Sequence, residues 1–204
     1  MALVNDRLSA NQCRIVFYGP AASGKSTNLR VIHARAPREA RGEVTTINGS
    51  PGWSGDVEFL ALQVGEVEGY RLFYHLYAAP GGPGAERCRV ALLWAADGVV
   101  FVADSHRACF QANLQRSAEL HQVLAARREN GPGFPLVFQY NKRDLPEAVP
   151  VPLLEARLNP DRVPSFEAVA ASGEGVFPTL QALSDLLIRQ VRMLREESRR
   201  ASNP

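Results

Sequence analysis

Gly19-Pro20-Ala21-Ala22-Ser23-Gly24-Lys25-Ser26-Thr27 follows the apolar run Cys13-Arg14-Ile15-Val16-Phe17-Tyr18. The nine residues fit G-x-x-x-x-G-K-[ST] in the setting that pattern requires, after a strand and at the start of a helix. Gly19 and Gly24 permit a tight turn and close approach of the backbone to a ligand. Successive N–H groups, those of Ala22, Ser23 and Thr27 among them, are then expected to point at phosphate oxygens, with the positive end of the following helix at the same spot. Lys25 would reach the terminal phosphates. The Ser26 hydroxyl is of the kind that a magnesium ion bridging two phosphates takes as a ligand.

Outward from this loop, Thr27 to Ala36 reads as a helix with Leu29, Ile32 and His33 toward the inside, stopped by Pro37. Residues 37–56 turn polar and glycine-rich around Thr45-Thr46 and show no periodicity, so a long loop is expected. Residues 57–64 and 70–77 flank Gly65-Glu66-Val67-Glu68-Gly69 as an antiparallel hairpin, in which His75 reads as a packed histidine. Ala78 to Gly84 is a second breaker-rich loop, and a helix is expected from Arg87 to Ala96. The apolar run at 98–105 has the character of a central parallel strand. A helix follows from about Arg107 to Arg128, with Leu114, Ala118, Leu120, Val123 and Leu124 inward. A strand at 135–140, a short helix at 152–158, a strand at 165–171 and a helix from Phe177 to about Glu197 complete the chain. Strands and helices alternating at this spacing predict a three-layer α/β fold with a mostly parallel six-stranded sheet and one antiparallel edge hairpin.

The 204 residues suit one domain, read as residues 1–197, with 198–204 as a charged, flexible tail. With 23 Lys+Arg against 21 Asp+Glu, the net charge of +2 makes no demand for nucleic acid as a partner. Cys13, Cys88 and Cys109 are an odd number without C-x-x-C spacing, which argues against a disulfide framework or zinc site and suits a reducing cytoplasm. No secretory leader, lipidation signal or membrane span of about 18 apolar residues is evident.

In a doubly wound sheet, ligands sit at the carboxyl ends of the strands. There, Asn141-Lys142-Arg143-Asp144 places a carboxylate just past a strand-end amide and lysine. A carboxylate accepts two hydrogen bonds from guanine, through its ring N–H and exocyclic amino group. Adenine offers no such donor pair and would leave Asp144 desolvated and unpaired, at a cost of about 1–3 kcal/mol or more. Guanine is therefore favoured.

With these strand ends in place, the chain resembles the Ras-like small GTPases of the P-loop NTPase class, in particular their bacterial MglA branch of gliding motility and cell polarity. The resemblance covers nearly the whole chain and rests on residues 13–20, 24–29, 73–77 with Pro80-Gly81, 97–105, 139–146 and 175–177. It implies that GTP or GDP and Mg2+ are bound, that Asn141, Lys142 and Asp144 hold the guanine, and that backbone around Ala170 and Ala171 completes the base site. It further implies that Gly81 borders the phosphates and that Thr46 lies in a first switch loop, where a hydroxyl meets magnesium and the γ-phosphate.

Two positions depart from the family. Its glutamine that orients the attacking water falls on Gly82, and its first-switch arginine, counted from Gly42 without a gap, falls on Trp53. An arginine in that role is worth roughly 10³–10⁵ in rate. Binding residues are thus present while two catalytic parts are missing, unless Ser54, Arg87 or a partner's residues substitute. The first expectation is an MglA-like molecular switch with slow or partner-dependent hydrolysis. The second is a pseudo-GTPase, a nucleotide-stabilised interaction module that does not cycle. An adenine-using P-loop enzyme is disfavoured by Asp144.

As partners, the resemblance implies a roadblock-type MglB-like regulator and effector proteins acting through the switch loops, in the cytoplasm and concentrated at a cell pole. Leu180, Leu183, Leu186, Leu187, Val191 and Leu194 form an apolar stripe expected to pack on the sheet. Arg192, Arg195, Arg199 and Arg200 beyond it read as a solvated helix end, with peripheral contact to an anionic membrane as the alternative.

Overall fold

The computed structural model describes residues 12–48, 55–67, 70–127 and 133–201. Seven strands form one sheet: β1 (Gln12–Tyr18), β2 (Thr45–Ile47), β3 (Val57–Val67), β4 (Tyr70–Ala78), β5 (Gly98–Asp104), β6 (Leu136–Asn141) and β7 (Ser165–Glu167), in the order β2-β3-β4-β1-β5-β6-β7. β4, β1, β5, β6 and β7 run parallel, while β3 pairs antiparallel with both β4 and β2. The described helices are α1 (Lys25–Arg35), α2 (Glu86–Ala95), α3 (Phe110–Arg127), α4 (Val151–Leu158) and α5 (Val176–Ala201).

β5 shows why the sheet is a middle layer. Every one of its residues is buried, and its alternating side chains feed two cores. Val100 and Val102 join Ile15, Phe17, Leu29, Ile32, Leu183 and Leu187 beneath α1 and α5. Val99, Phe101 and Ala103 join Tyr18, Leu93, Leu120, Phe138 and Leu154 beneath α2, α3 and α4. The three-layer α/β architecture with an antiparallel edge is the one expected.

Several boundaries differ from the sequence reading. The sheet has seven strands rather than six, because Thr45–Ile47 adds to the edge as β2, opposite Val57–Phe59. With all three of its residues exposed, β2 has no apolar alternation to reveal it. α3 is preceded by a 3-10 turn at Arg107–Cys109, and Ala118 faces solvent. The inward positions on that face belong to Asn113 and Ser117, which bond backbone groups of Asp104 and Leu158. β7 stops at Glu167, and α5 continues past Glu197 to Ala201. The side chains of Leu194, Arg195, Arg199 and Arg200 lie outside the described residues, while Arg192 is exposed. No helix among the described residues is long and apolar enough to cross a membrane.

Candidate nucleotide site

The loop after β1 has the backbone its glycines predict. Gly19 sits at φ +149° and Gly24 at φ +103°, and a Cβ on either would stand 2.2 Å from the Val102 carbonyl oxygen or 2.1 Å from Asn141 Nδ2. Neither position tolerates a side chain. Ala22 also takes a left-handed conformation, at φ +57°. α1 starts at Lys25 with no side-chain cap and no acidic residue in its first turn. Its N-terminal N–H groups and positive dipole end therefore remain available to an anion. Ser23 Oγ is buried there without a hydrogen-bond partner.

Lys25 is 6% exposed, and its Nζ donates to the carbonyls of Gly19 at 3.1 Å and Pro20 at 2.5 Å. Burial, with Arg116 and Arg89 as further positive charges, lowers its pKa to about 8. An ammonium held this way gains from a phosphate that supplies negative charge. Ser26 follows it on α1, half-buried.

The end of β6 closes on this loop. Asn141 Nδ2 donates to the Ser23 carbonyl at 2.7 Å, and Asn141 Oδ1 accepts from the Ala170 N–H at 2.8 Å. One amide thus ties the phosphate loop to the 168–173 turn. Lys142, at φ +64°, pairs with Asp104 at 2.6 Å. Asp144 and Ala171 are exposed at the same end of the sheet, and Ala170 is buried. Arg35, at the end of α1, donates to the Ser172 carbonyl at 2.7 Å.

A second set of bonds lies beneath. Asn28 and Gln139, both fully buried, exchange amide hydrogen bonds of 2.8 and 3.0 Å. Asn28 Nδ2 also donates to the Gly24 carbonyl, and Gln139 Nε2 to Thr179 Oγ1. The sequence reading missed Asn28, Arg35, Asp104 and Gln139. A polar residue inside the apolar run of a central strand was the available signal for Gln139, and an acidic strand end was the signal for Asp104.

The second breaker-rich loop also reaches the phosphate loop. A Cβ on Gly81 would lie 2.5 Å from both N and Cα of Ala21, so the two backbones are in contact. A Cβ on Gly82 would meet nothing within 4 Å. Thr46 lies exposed on β2, the edge strand three places from β1 in the sheet, and Ser26 lies in the first turn of α1. Trp53 lies outside the described residues. Among the described residues no group of three or more His, Cys, Asp or Glu could hold a metal ion. The Ser26 hydroxyl, in the first turn of α1, is of the donor type that magnesium takes together with phosphate oxygens.

No family model matches the chain. Over 192 residues, 94% of the chain and 98% of the relative, it is 36% identical to the mutual gliding-motility protein MglA of Myxococcus xanthus. A local stretch of 97 residues, 48% of the chain, is 33% identical to 18% of the nitrogen assimilation regulatory protein NtrX of Azorhizobium caulinodans.

Proposed function

The chain belongs to the MglA branch of the Ras-like small GTPases, and from that membership we propose that it is a guanine-nucleotide-binding switch in bacterial motility and polarity. The observation that carries the reading is the Asn141 amide, which joins the phosphate loop at Ser23 to the turn at Ala170 and so makes two sequence motifs into one site. In this reading Gly19, Ala22, Ser23, Gly24, Lys25, Ser26 and Thr27 bind the phosphates, with Gly81 alongside. Asp144 selects guanine by accepting its two donors, while Lys142, steadied by Asp104, lies at the same strand end. The Ser26 hydroxyl would hold Mg2+, which would supply charge neutralisation at the phosphates. Thr46, on the first switch segment, would supply a second hydroxyl to that ion.

Hydrolysis is slow or depends on a partner, because Gly82 has no side chain to orient water and Trp53 has no charge to offer the transition state. A roadblock-type MglB-like regulator and effector proteins would bind through the two loops that respond to the γ-phosphate. The switch would act in the cytoplasm and concentrate at a cell pole. The absence of a side chain at Gly82 also supports a second reading, a pseudo-GTPase that binds nucleotide and does not cycle.

Competition among GTP, GDP and ATP tests the base assignment, and equal affinity for ATP would remove the role given to Asp144. Single-turnover GTP hydrolysis with magnesium, alone and with a candidate activating protein, separates the two readings. Turnover that Lys25→Ala abolishes excludes the pseudo-GTPase.

A further inference from the structure

The loop Pro80-Gly81-Gly82-Pro83-Gly84 carries three glycines and two prolines and no side chain with a hydrogen-bonding group. Its carbonyls are held by Arg89 on α2, whose side chain is fully buried. Arg89 Nη1 donates to the carbonyls of Gly82 at 2.8 Å and Pro80 at 3.3 Å. Its Nε donates to Glu119 at 3.2 Å and its Nη2 to Glu86 at 3.1 Å. Glu119, on α3, is fixed in turn by Arg116 at 2.5 Å. Two cations and two carboxylates thus balance in a group that α3 anchors. Gly81 lies between the two gripped carbonyls and is the residue pressed against Ala21 of the phosphate loop.

We propose that Arg89 is the positioning residue of this loop, holding Gly81 at the phosphate loop in advance and thereby setting the preference for a nucleoside triphosphate over a diphosphate. The inference rests on the guanine-nucleotide reading above. Gly81 and Gly82, side by side between two prolines, lose conformational freedom when they are fixed, and a ligand that had to order them would bind more weakly. Arg89 imposes that order beforehand. A diphosphate held by the phosphate loop gains little from this, whereas a terminal phosphate, beside the gripped segment, gains directly. The guanidinium fork serves two carbonyls and two carboxylates together, which a lysine ammonium on its flexible stem cannot do. Burying a cation solely for stability is poorly rewarded, since apolar residues of similar volume do as well. Bonds to loop carbonyls on either side of Gly81 point to placement instead.

The test compares dissociation constants for GDP and a non-hydrolysable GTP analogue, with magnesium, in the full chain and in Arg89→Gln, Arg89→Lys and Glu119→Gln. Hydrogen exchange across residues 78–84 is followed in parallel. Arg89→Gln is expected to leave GDP affinity within about threefold and to weaken the analogue about tenfold or more. Arg89→Lys should fall between, and Glu119→Gln should move the ratio the same way by less. Exchange should quicken at Gly81 and Gly82 and stay unchanged in β5. Equal losses for both nucleotides, or an unchanged ratio, overturn the proposal. If Arg89→Gln does not fold, an unchanged ratio in folded Glu119→Gln overturns it. Failure of the unaltered protein to bind either nucleotide overturns the underlying reading, and is seen before any variant is compared.

Discussion

Asn141 and Ser23 stand 118 positions apart in the chain and meet through a 2.7 Å hydrogen bond from the Asn141 side chain to the Ser23 carbonyl. Because the same amide accepts from Ala170, replacing it releases both the loop after β1 and the turn at Ala170. Asn141→Ala is expected to weaken GDP and GTP alike by about 30- to 1000-fold, from two buried hydrogen bonds at about 1–2 kcal/mol each. Displacement of a fluorescent guanine nucleotide measures this. An unchanged GDP affinity would show that the clamp does not shape the phosphate loop.

Gly82 tests whether the missing side chain limits hydrolysis. Its backbone is not in the left-handed region, and open space surrounds a Cβ there. Gly82→Gln should therefore be accommodated without disturbing nucleotide affinity, and the new amide can orient water. Single-turnover GTP hydrolysis should rise about tenfold or more, short of the 10²–10³ typical of a well-placed transition-state donor. The shortfall follows from the proposed assignment of the family's arginine position to Trp53. A rate that does not change would place the limit elsewhere than this loop.

Lys25 predicts a proton linkage. Its pKa in the folded protein, about 8, lies below the ordinary 10.5, chiefly through burial. Between those values the unfolded chain binds more protons than the folded one, so Lys25 makes the nucleotide-free protein gain stability as pH rises through that window. Phosphate favours the ammonium form and raises the pKa again. Above about pH 8, nucleotide binding should then take up a proton, and affinity should fall by up to about tenfold per pH unit. Calorimetry at pH 8.5 in two buffers of different ionisation enthalpy reads the uptake directly, and Lys25→Met should abolish it. No uptake in the unaltered protein contradicts the assignment.

Gln139 and Asn28 predict non-additive stability. Both side chains are fully buried, and each satisfies the other. Gln139→Leu leaves the Asn28 amide short of partners and should cost about 1–3 kcal/mol, near 2–4 °C in Tm per kcal/mol for a domain of this size. The double variant with Asn28→Leu should recover part of the loss, because no polar group is then stranded. Thermal unfolding of the four proteins completes the cycle, and strictly additive losses would mean that the pair does not act as a unit.

The readable features were those with a local cause. Continuous apolar runs announced β5 and β6, since strands buried on both faces have no polar side to show. Breakers marked the hairpin and the loop at 78–84, and the turn after β1 was legible because its positive-φ, closely approached positions at Gly19 and Gly24 need glycine. β2 was invisible because its three residues are exposed on both faces, and its pairing with Val57–Phe59 is a non-local backbone ladder. The inward face of α3 was misread at Ala118 because Asn113 and Ser117 fill the neighbouring inward positions, paid for by hydrogen bonds to distant carbonyl and amide groups.

By itself, then, the sequence determined the α/β class and carried the expectation of a phosphate-binding loop and of a carboxylate that favours guanine, since each follows from residue type at short spacing. The tertiary structure alone decided which distant polar groups complete the site. Asn141 reaches Ser23, Gln139 reaches Asn28, and Arg89 reaches the carbonyls beside Gly81. Hydrogen bonds of this kind have no periodicity and no motif. They exist because parallel strands place their carboxyl ends side by side, and because a buried amide or guanidinium is tolerated only where the fold supplies a partner for each polar atom.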